Sequence, residues 1–183
     1  EINERAYVWG LGIDFVDPIA EEDGASEAIA VPDAEPPLYR ITAELPRIAE
    51  GDTQGQGGSA QSPAIVITAT GHAPLQIRRS LAIRTSRQIF MGHLQAVIIG
   101  EQVARQGILD VLDFIDRTAE TDRRMVVLIA QGEAKKILEV VPYQSDTVAE
   151  HLLNSLKCSA KVARSSESRL HDVMVELRHN GNA

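Results

Sequence analysis

The chain has 183 residues, of which 44% are hydrophobic and 24% charged, a balance typical of a folded domain and a length that excludes a large multidomain enzyme. Its formal net charge of -8 argues against a general nucleic-acid binder, because such proteins neutralise phosphates with a basic surface. A single cysteine excludes an intramolecular disulfide and a cysteine-rich metal site.

The first part of the chain predicts three β-strands joined by two loops. The strands lie at 6–16, 38–48 and 64–70, where β-branched and aliphatic residues are concentrated. The loop at 17–37 carries seven acids and no base, and the loop at 51–62 consists largely of Gly, Gln and Ser. We expect both loops to be mobile connections that the fold does not require.

The strand at 38–48 alternates between apolar and polar residues, which predicts a half-buried strand with its polar side chains in solvent. Pro46 indicates an edge position or a strand end, because proline lacks the N–H that a sheet interior needs. The apolar set is Tyr39, Ile41, Ala43 and Leu45, and the polar set is Arg40, Thr42 and Glu44.

From residue 74 onward, helices and strands alternate. A helix is predicted at 74–86, buried strands at 94–99 and 125–130, and one amphipathic helix at 101–117 between those strands. The order strand, helix, strand predicts a parallel, right-handed crossover.

The remainder of the chain is predicted to be helical. A short helix is expected at 133–140, and Thr147 with Glu150 forms a capping box for the next helix. A last helix begins near Leu170, with Gly181 as its cap. Together these elements predict a single α/β domain: a mixed sheet of about five strands with helices packed against it.

Catalytic motifs are absent from the sequence. Gly10-Leu11-Gly12 lies within a predicted strand instead of opening a helix, so it does not indicate a dinucleotide site. The histidines show no HExxH motif and no short spacing typical of a metal pair, and no serine lies in a GxSxG motif. Cys158 is interpreted as a small core or boundary residue. We therefore predict a protein that is not an enzyme and has no metal or cofactor.

One charged cluster suggests binding, because Arg78, Arg79, Arg84 and Arg87 lie within ten residues with no acid among them. An anion site formed by Arg78, Arg79 and Arg84 is one hypothesis, since guanidinium groups bind carboxylates and phosphates. The other hypothesis is that these arginines pair with acids on neighbouring elements.

A specific pattern lies at 87–117, continues through 126–138 and reaches back to 1–14. This pattern closely resembles the Ger(x)C family, the C subunits of the nutrient germinant receptors of bacterial endospores. Its marker residues are Arg87, Gly92, His93, Gly100, Glu101, Gly107 and Arg117.

The resemblance implies a non-enzymatic lipoprotein on the outer face of the spore inner membrane, assembled with the membrane-embedded A and B subunits. Family members are longer, so residues 1–183 are expected to be the N-terminal domain of a longer subunit, following a lipid-bearing cysteine. The implied role is that of a scaffold or interaction domain needed for nutrient-triggered germination. The alternative is a domain that binds the germinant itself through the arginine cluster.

Most of the marker residues are interpreted as structural. Gly92 and Gly100 bracket a predicted buried strand, where glycine permits a tight entry and exit. Glu101 lies in the first turn of a helix and Arg117 near its end, and both placements suit the helix dipole. His93 is interpreted as a buried hydrogen-bonding group, with a partner contact as the alternative.

Overall fold

The computed structural model describes residues 5–16, 37–47, 64–142, 145–161 and 168–180. The predicted loop at 51–62 lies outside these ranges, as does the loop at 17–37 apart from Pro37. The strands are β1 (Arg5–Tyr7), β2 (Gly10–Phe15), β3 (Tyr39–Pro46), β4 (Ala64–Gly71), β5 (Gln88–Phe90), β6 (Ala96–Ile99) and β7 (Val126–Ile129). The helices are α1 (Pro74–Thr85), α2 (Glu101–Gln106), α3 (Leu109–Asp116), α4 (Ala134–Leu138), α5 (Val148–Lys161) and α6 (Leu170–Asn180).

Five strands form one mixed sheet in the order β4-β3-β2-β6-β7. Strand β3 is antiparallel to both of its neighbours, β2 and β4, whereas β2, β6 and β7 run parallel to one another. The α/β fold with a mixed sheet of about five strands is therefore confirmed. Strands β1 and β5 form a second, two-stranded parallel sheet.

The predicted first strand is two strands that belong to different sheets. At Val8 the backbone N–H donates to the Phe90 carbonyl at 3.0 Å, which continues the pairing with β5. At Trp9 the N–H donates to the Glu44 carbonyl at 2.9 Å, so the chain has already moved to the main sheet. The apolar run does not show this change of partner, because both strands are buried in the same core.

The prediction of a half-buried β3 is wrong. This strand lies between β2 and β4, and Arg40, Thr42 and Glu44 are 7%, 0% and 0% exposed. Helices α4 and α5 cover the face that carries these polar residues, so the strand is buried on both sides. Pro46 is its last residue, in agreement with a strand end.

The single helix predicted at 101–117 is broken into α2 and α3 at Gly107. This residue has φ 123°, a conformation that an L side chain rarely adopts and that ends α2. Helix α3 still buries the predicted apolar side of the segment, with Val111, Leu112 and Ile115 in the core.

Helices cover both faces of the main sheet. The larger core packs α1, α3 and α6 on one face, around Leu11, Leu81 and Leu112. The smaller core packs α4 and α5 on the other face, around Ile98 and Leu138. Burial of each such side chain contributes about 1.5–3 kcal/mol. Within the described ranges, none of the helices combines the length and the apolar character needed to cross a membrane.

Candidate functional site

The buried carboxylate of Glu44 holds the N-terminus of α5 against the sheet. It accepts hydrogen bonds from the Val148 N–H at 2.5 Å and the Ala149 N–H at 3.0 Å. These N–H groups have no partner within the helix, and the N-terminus is the positive end of its dipole. Burial raises the pKa of the Glu44 carboxyl, and the two backbone N–H groups partly oppose that rise. One half of the predicted capping box is present beside it, since the Thr147 hydroxyl accepts from the Glu150 N–H at 3.2 Å.

Asp14 holds the N-terminus of α4 in the same way. Its carboxylate is 3% exposed and accepts from the Ala134 N–H at 2.7 Å and the Lys135 N–H at 2.9 Å. Burial raises the pKa of Asp14, again against the effect of these two N–H groups. A Cβ at Gly100 would overlap Asp14 Oδ1, so this glycine leaves the space that the carboxylate occupies.

The sequence patterns did not indicate that either carboxylate anchors a helix, although the glycines beside them were a signal. Gly10 is paired with Glu44 across the sheet, and a Cβ at Gly10 would lie 2.8 Å from Glu44 Oε2. A Cβ at Gly12 would lie 3.0 Å from Leu138 of α4. Glycines inside a strand indicate that another group approaches closely, and here those groups are a carboxylate and a helix.

A cleft of about 520 Å³ opens at the carboxyl ends of β2 and β6, which is where open α/β sheets commonly bind ligands. Its charges are paired with one another: Arg105 contacts Glu101 at 2.7 Å, and Arg40 lies 3.6 Å from Glu133. The hydrogen bonds from Arg105 and from the Gly132 N–H hold the pKa of Glu101 below its usual value. Among the described residues, no group of three or more His, Cys, Asp or Glu side chains could hold a metal ion.

His93 is exposed and belongs to an aromatic cluster, so the prediction of its burial is wrong. Its ring centroid lies 5.2 Å from that of Tyr7 and 5.9 Å from that of Phe90, which is itself 5.5 Å from Tyr7. The guanidinium of Arg5 lies 5.0 Å from the centre of the Phe90 ring. A Cβ at Gly92 would overlap this ring, so Gly92 permits its position. Tyr7, Phe90 and His93 are called the aromatic cluster below.

Two other predicted residues lie at the surface. Arg117 follows α3, as expected, and pairs with Asp113 at 2.6 Å. Cys158 is exposed on α5, so the prediction of a core or boundary position is wrong.

The four arginines of the sequence cluster lie in different surroundings. Arg78 pairs with Glu120 at 3.5 Å and also donates to the Ile89 carbonyl at 3.4 Å. Arg79 is exposed on α1. The remaining two line a groove of about 480 Å³ together with two arginines from other segments. This arginine groove is defined by Arg5, Arg47, Arg84 and Arg87.

Residues 1–183 match the model of the family described as the spore germination protein N-terminal domain. The chain belongs to this family. The match confirms the family predicted from the marker residues.

Three relatives from Bacillus subtilis strain 168 are named spore germination proteins. YfkR is 34% identical over 103 residues, which are 55% of this chain and 27% of YfkR. YndF is 36% identical over 91 residues, 49% of this chain and 22% of YndF. Protein KC is 25% identical over 134 residues, 71% of this chain and 33% of KC. The chain thus spans a third or less of each relative, and no solved structure matches it.

Proposed function

We propose that this chain is the N-terminal interaction domain of a germinant receptor C subunit and carries out no catalytic step. The family membership and the similarity to spore germination protein KC support a role in germination. Asp14 and Glu44 are buried and directed at helix N-termini, so they act in architecture. In this proposal, the domain is a rigid body that presents a surface to the other subunits.

The aromatic cluster is the observation that carries this proposal. It brings together β1, β5 and the turn after β5, and two marker residues of the family pattern, Gly92 and His93, build it. Tyr7 and Phe90 are half-buried, with Arg5 beside them. Exposed aromatic and arginine side chains are enriched at protein interfaces and contribute most of their binding energy. The partners proposed are the membrane-embedded A and B subunits, at the outer face of the spore inner membrane.

Capture of the full-length subunit from spore membranes tests this role. The double variant Tyr7→Ala, His93→Ala should recover less of the A and B subunits than the unmodified protein, at equal amounts of C subunit. Arg117→Ala is the matched control, because Arg117 is an exposed marker residue that pairs with Asp113 and not with a member of the cluster. Equal recovery of A and B by all three proteins would contradict the proposal.

Ligand binding is a second candidate function, and the arginine groove is the observation that favours it. A germinant held there would stabilise the folded chain by RT ln(1 + [L]/Kd), about 2.7 kcal/mol at a hundredfold excess over Kd. A thermal shift with amino-acid and sugar germinants tests this candidate. An unchanged melting temperature with every germinant would reject it for these compounds.

A further inference from the structure

The arginine groove has the dimensions and the mixed character of a small-molecule site. Its volume of about 480 Å³ falls within the roughly 300–1,000 Å³ of such pockets. Its four arginines come from β1, the residue after β3, α1 and the residue before β5. Apolar side chains line it as well, among them Leu45 and Ile65, and Ile65 is 44% exposed. The groove therefore combines positive charge with an aliphatic wall.

Three arginines of the groove, Arg5, Arg84 and Arg87, have no acid partner among the residues that the structure describes. None of the described residues that line the groove is an acid. In the part of the chain that the structure describes, Arg84 and Arg87 form no ion pair, whereas Arg78 and Arg105 pair with acids. Like charges that converge repel one another, so an anion bound beside Arg84 and Arg87 would relieve that repulsion.

A strained turn brings Arg84 and Arg87 to the same groove. Ser86, which ends α1, has φ 52° and is the one non-glycine residue with positive φ among those described. The Thr85 hydroxyl accepts from the Arg87 N–H at 3.4 Å and so links the two sides of the turn. The helix dipole explains why a positive charge is favourable at Arg84, in the last turn of α1. It does not explain the positive charges of Arg87 and Arg5, which lie outside the helix. Strained backbone often accompanies a functional site.

We propose that the arginine groove binds the phosphate group of an organic phosphate, whose apolar part lies against Leu45 and Ile65. A guanidinium donates two parallel hydrogen bonds to such an anion, and guanidiniums from several directions suit a group with three acceptor oxygens. A soluble phosphate ester and the headgroup of an anionic phospholipid share this chemistry. The inference goes beyond both proposed functions: it assigns to the groove of the second candidate a ligand of another class, and it does not depend on the interaction role.

Titration of the 183-residue chain with inorganic phosphate and with hexyl phosphate, followed by calorimetry, tests the inference. Co-sedimentation with vesicles of phosphatidylcholine alone, or with one quarter phosphatidylglycerol, tests the lipid source. The variants are Arg84→Gln and Arg87→Gln, and Arg79→Gln is the control, because Arg79 is an exposed arginine on the same helix outside the groove. Thermal unfolding of each variant establishes that it is folded.

We expect saturable binding of hexyl phosphate that is tighter than that of inorganic phosphate. Each groove variant should weaken it by about tenfold or more, the loss of a charged hydrogen bond, and Arg79→Gln should not. If vesicle binding requires phosphatidylglycerol and is weakened by the groove variants but not by Arg79→Gln, the ligand is a lipid headgroup. If hexyl phosphate binds and neither vesicle does, the ligand is a soluble phosphate ester. Absence of binding to hexyl phosphate and to both vesicles would overturn the inference, as would an equal loss in Arg79→Gln. Unchanged capture of the A and B subunits by the groove variants would separate this result from the interaction proposal.

Discussion

The face of the sheet covered by α4 and α5 uses charged side chains differently from the end of the molecule where α1 meets β1. On the covered face, Asp14 and Glu44 are buried, and each accepts two backbone hydrogen bonds. At the other end, Arg84 and Arg87 are exposed and lie beside further arginines. Burying a carboxylate without hydrogen bonds would cost several kcal/mol, so the two buried carboxylates are held by the backbone N–H groups of the helices. The exposed arginines are available to a ligand.

The largest expected effect is at the glycine that makes room for a buried carboxylate. Gly100→Ala should lower the free energy of unfolding by about 3 kcal/mol, because the new Cβ displaces Asp14 from its two N–H donors. Urea denaturation measures this. Gly107→Ala is the control, since its Cβ meets nothing within 4 Å and only its positive φ lowers stability, by about 1–3 kcal/mol. A smaller loss at Gly100 than at Gly107 would show that the carboxylate can move aside.

Replacement of the second buried carboxylate should have the next largest effect. Glu44→Gln keeps the size of the side chain but directs an NH₂ group at an N–H donor, which should cost about 2 kcal/mol. Thr147→Ala removes the neighbouring cap and should cost about 1 kcal/mol. The same denaturation experiment compares the two. If Thr147→Ala were the more damaging variant, Glu44 would not be the main anchor of α5.

The pH dependence of stability should have opposite signs for Glu44 and Glu101. Burial raises the pKa of Glu44 above its ordinary 4.5, so the folded state binds this proton more tightly and the stability contributed by Glu44 falls as pH rises through the raised value. Arg105 lowers the pKa of Glu101, so the contribution of Glu101 is present above pH 4.5 and is lost as pH falls through the lowered value. The free energy of unfolding of the unmodified chain minus that of Glu44→Gln should fall as pH rises. The same difference for Glu101→Gln should increase as pH rises. If both differences changed in the same direction with pH, the contrast between buried and exposed carboxylates would be contradicted.

The smallest effects are expected in the arginine groove. Arg84→Glu should change the free energy of unfolding by no more than about 0.5 kcal/mol, because Arg84 is exposed and has no acid partner among the described residues. Arg78→Glu should cost about 1 kcal/mol, since it breaks the pair with Glu120 and the hydrogen bond to Ile89. Thermal unfolding monitored by circular dichroism distinguishes them. A loss at Arg84 equal to that at Arg78 would give the groove a structural role.

Periodicity predicted the elements of the fold well, because apolar spacing reports which side of a helix or strand is buried. Periodicity failed where the same residue pattern is compatible with two different structures. In β3 the alternation of polar residues indicated solvent, yet Glu44 lies opposite Gly10 and caps a helix about one hundred residues later in the chain. At Gly107 the apolar period continues across a break in the backbone, because the two short helices bury the same side of the segment.

The candidate site was less predictable than the fold, because it is assembled from distant segments. The spacing of Arg78, Arg79 and Arg84 suggested one cluster, but Arg78 pairs with Glu120, while Arg84 lies with Arg5 in the groove. Arg5 and Arg84 come together only because β1 pairs with β5 directly after α1. A local sequence pattern does not indicate that β1 pairs with β5.

Amide hydrogen exchange at the first turns of α4 and α5 tests most directly whether the buried carboxylates hold the helices to the sheet. First-turn amides normally exchange fast, because they have no partner within the helix. Here Ala134, Lys135, Val148 and Ala149 should be protected with free energies within about 1 kcal/mol of global unfolding. Glu44→Gln should release the two amides of α5 and leave those of α4 protected. Fast exchange of all four amides in the unmodified chain would contradict the account.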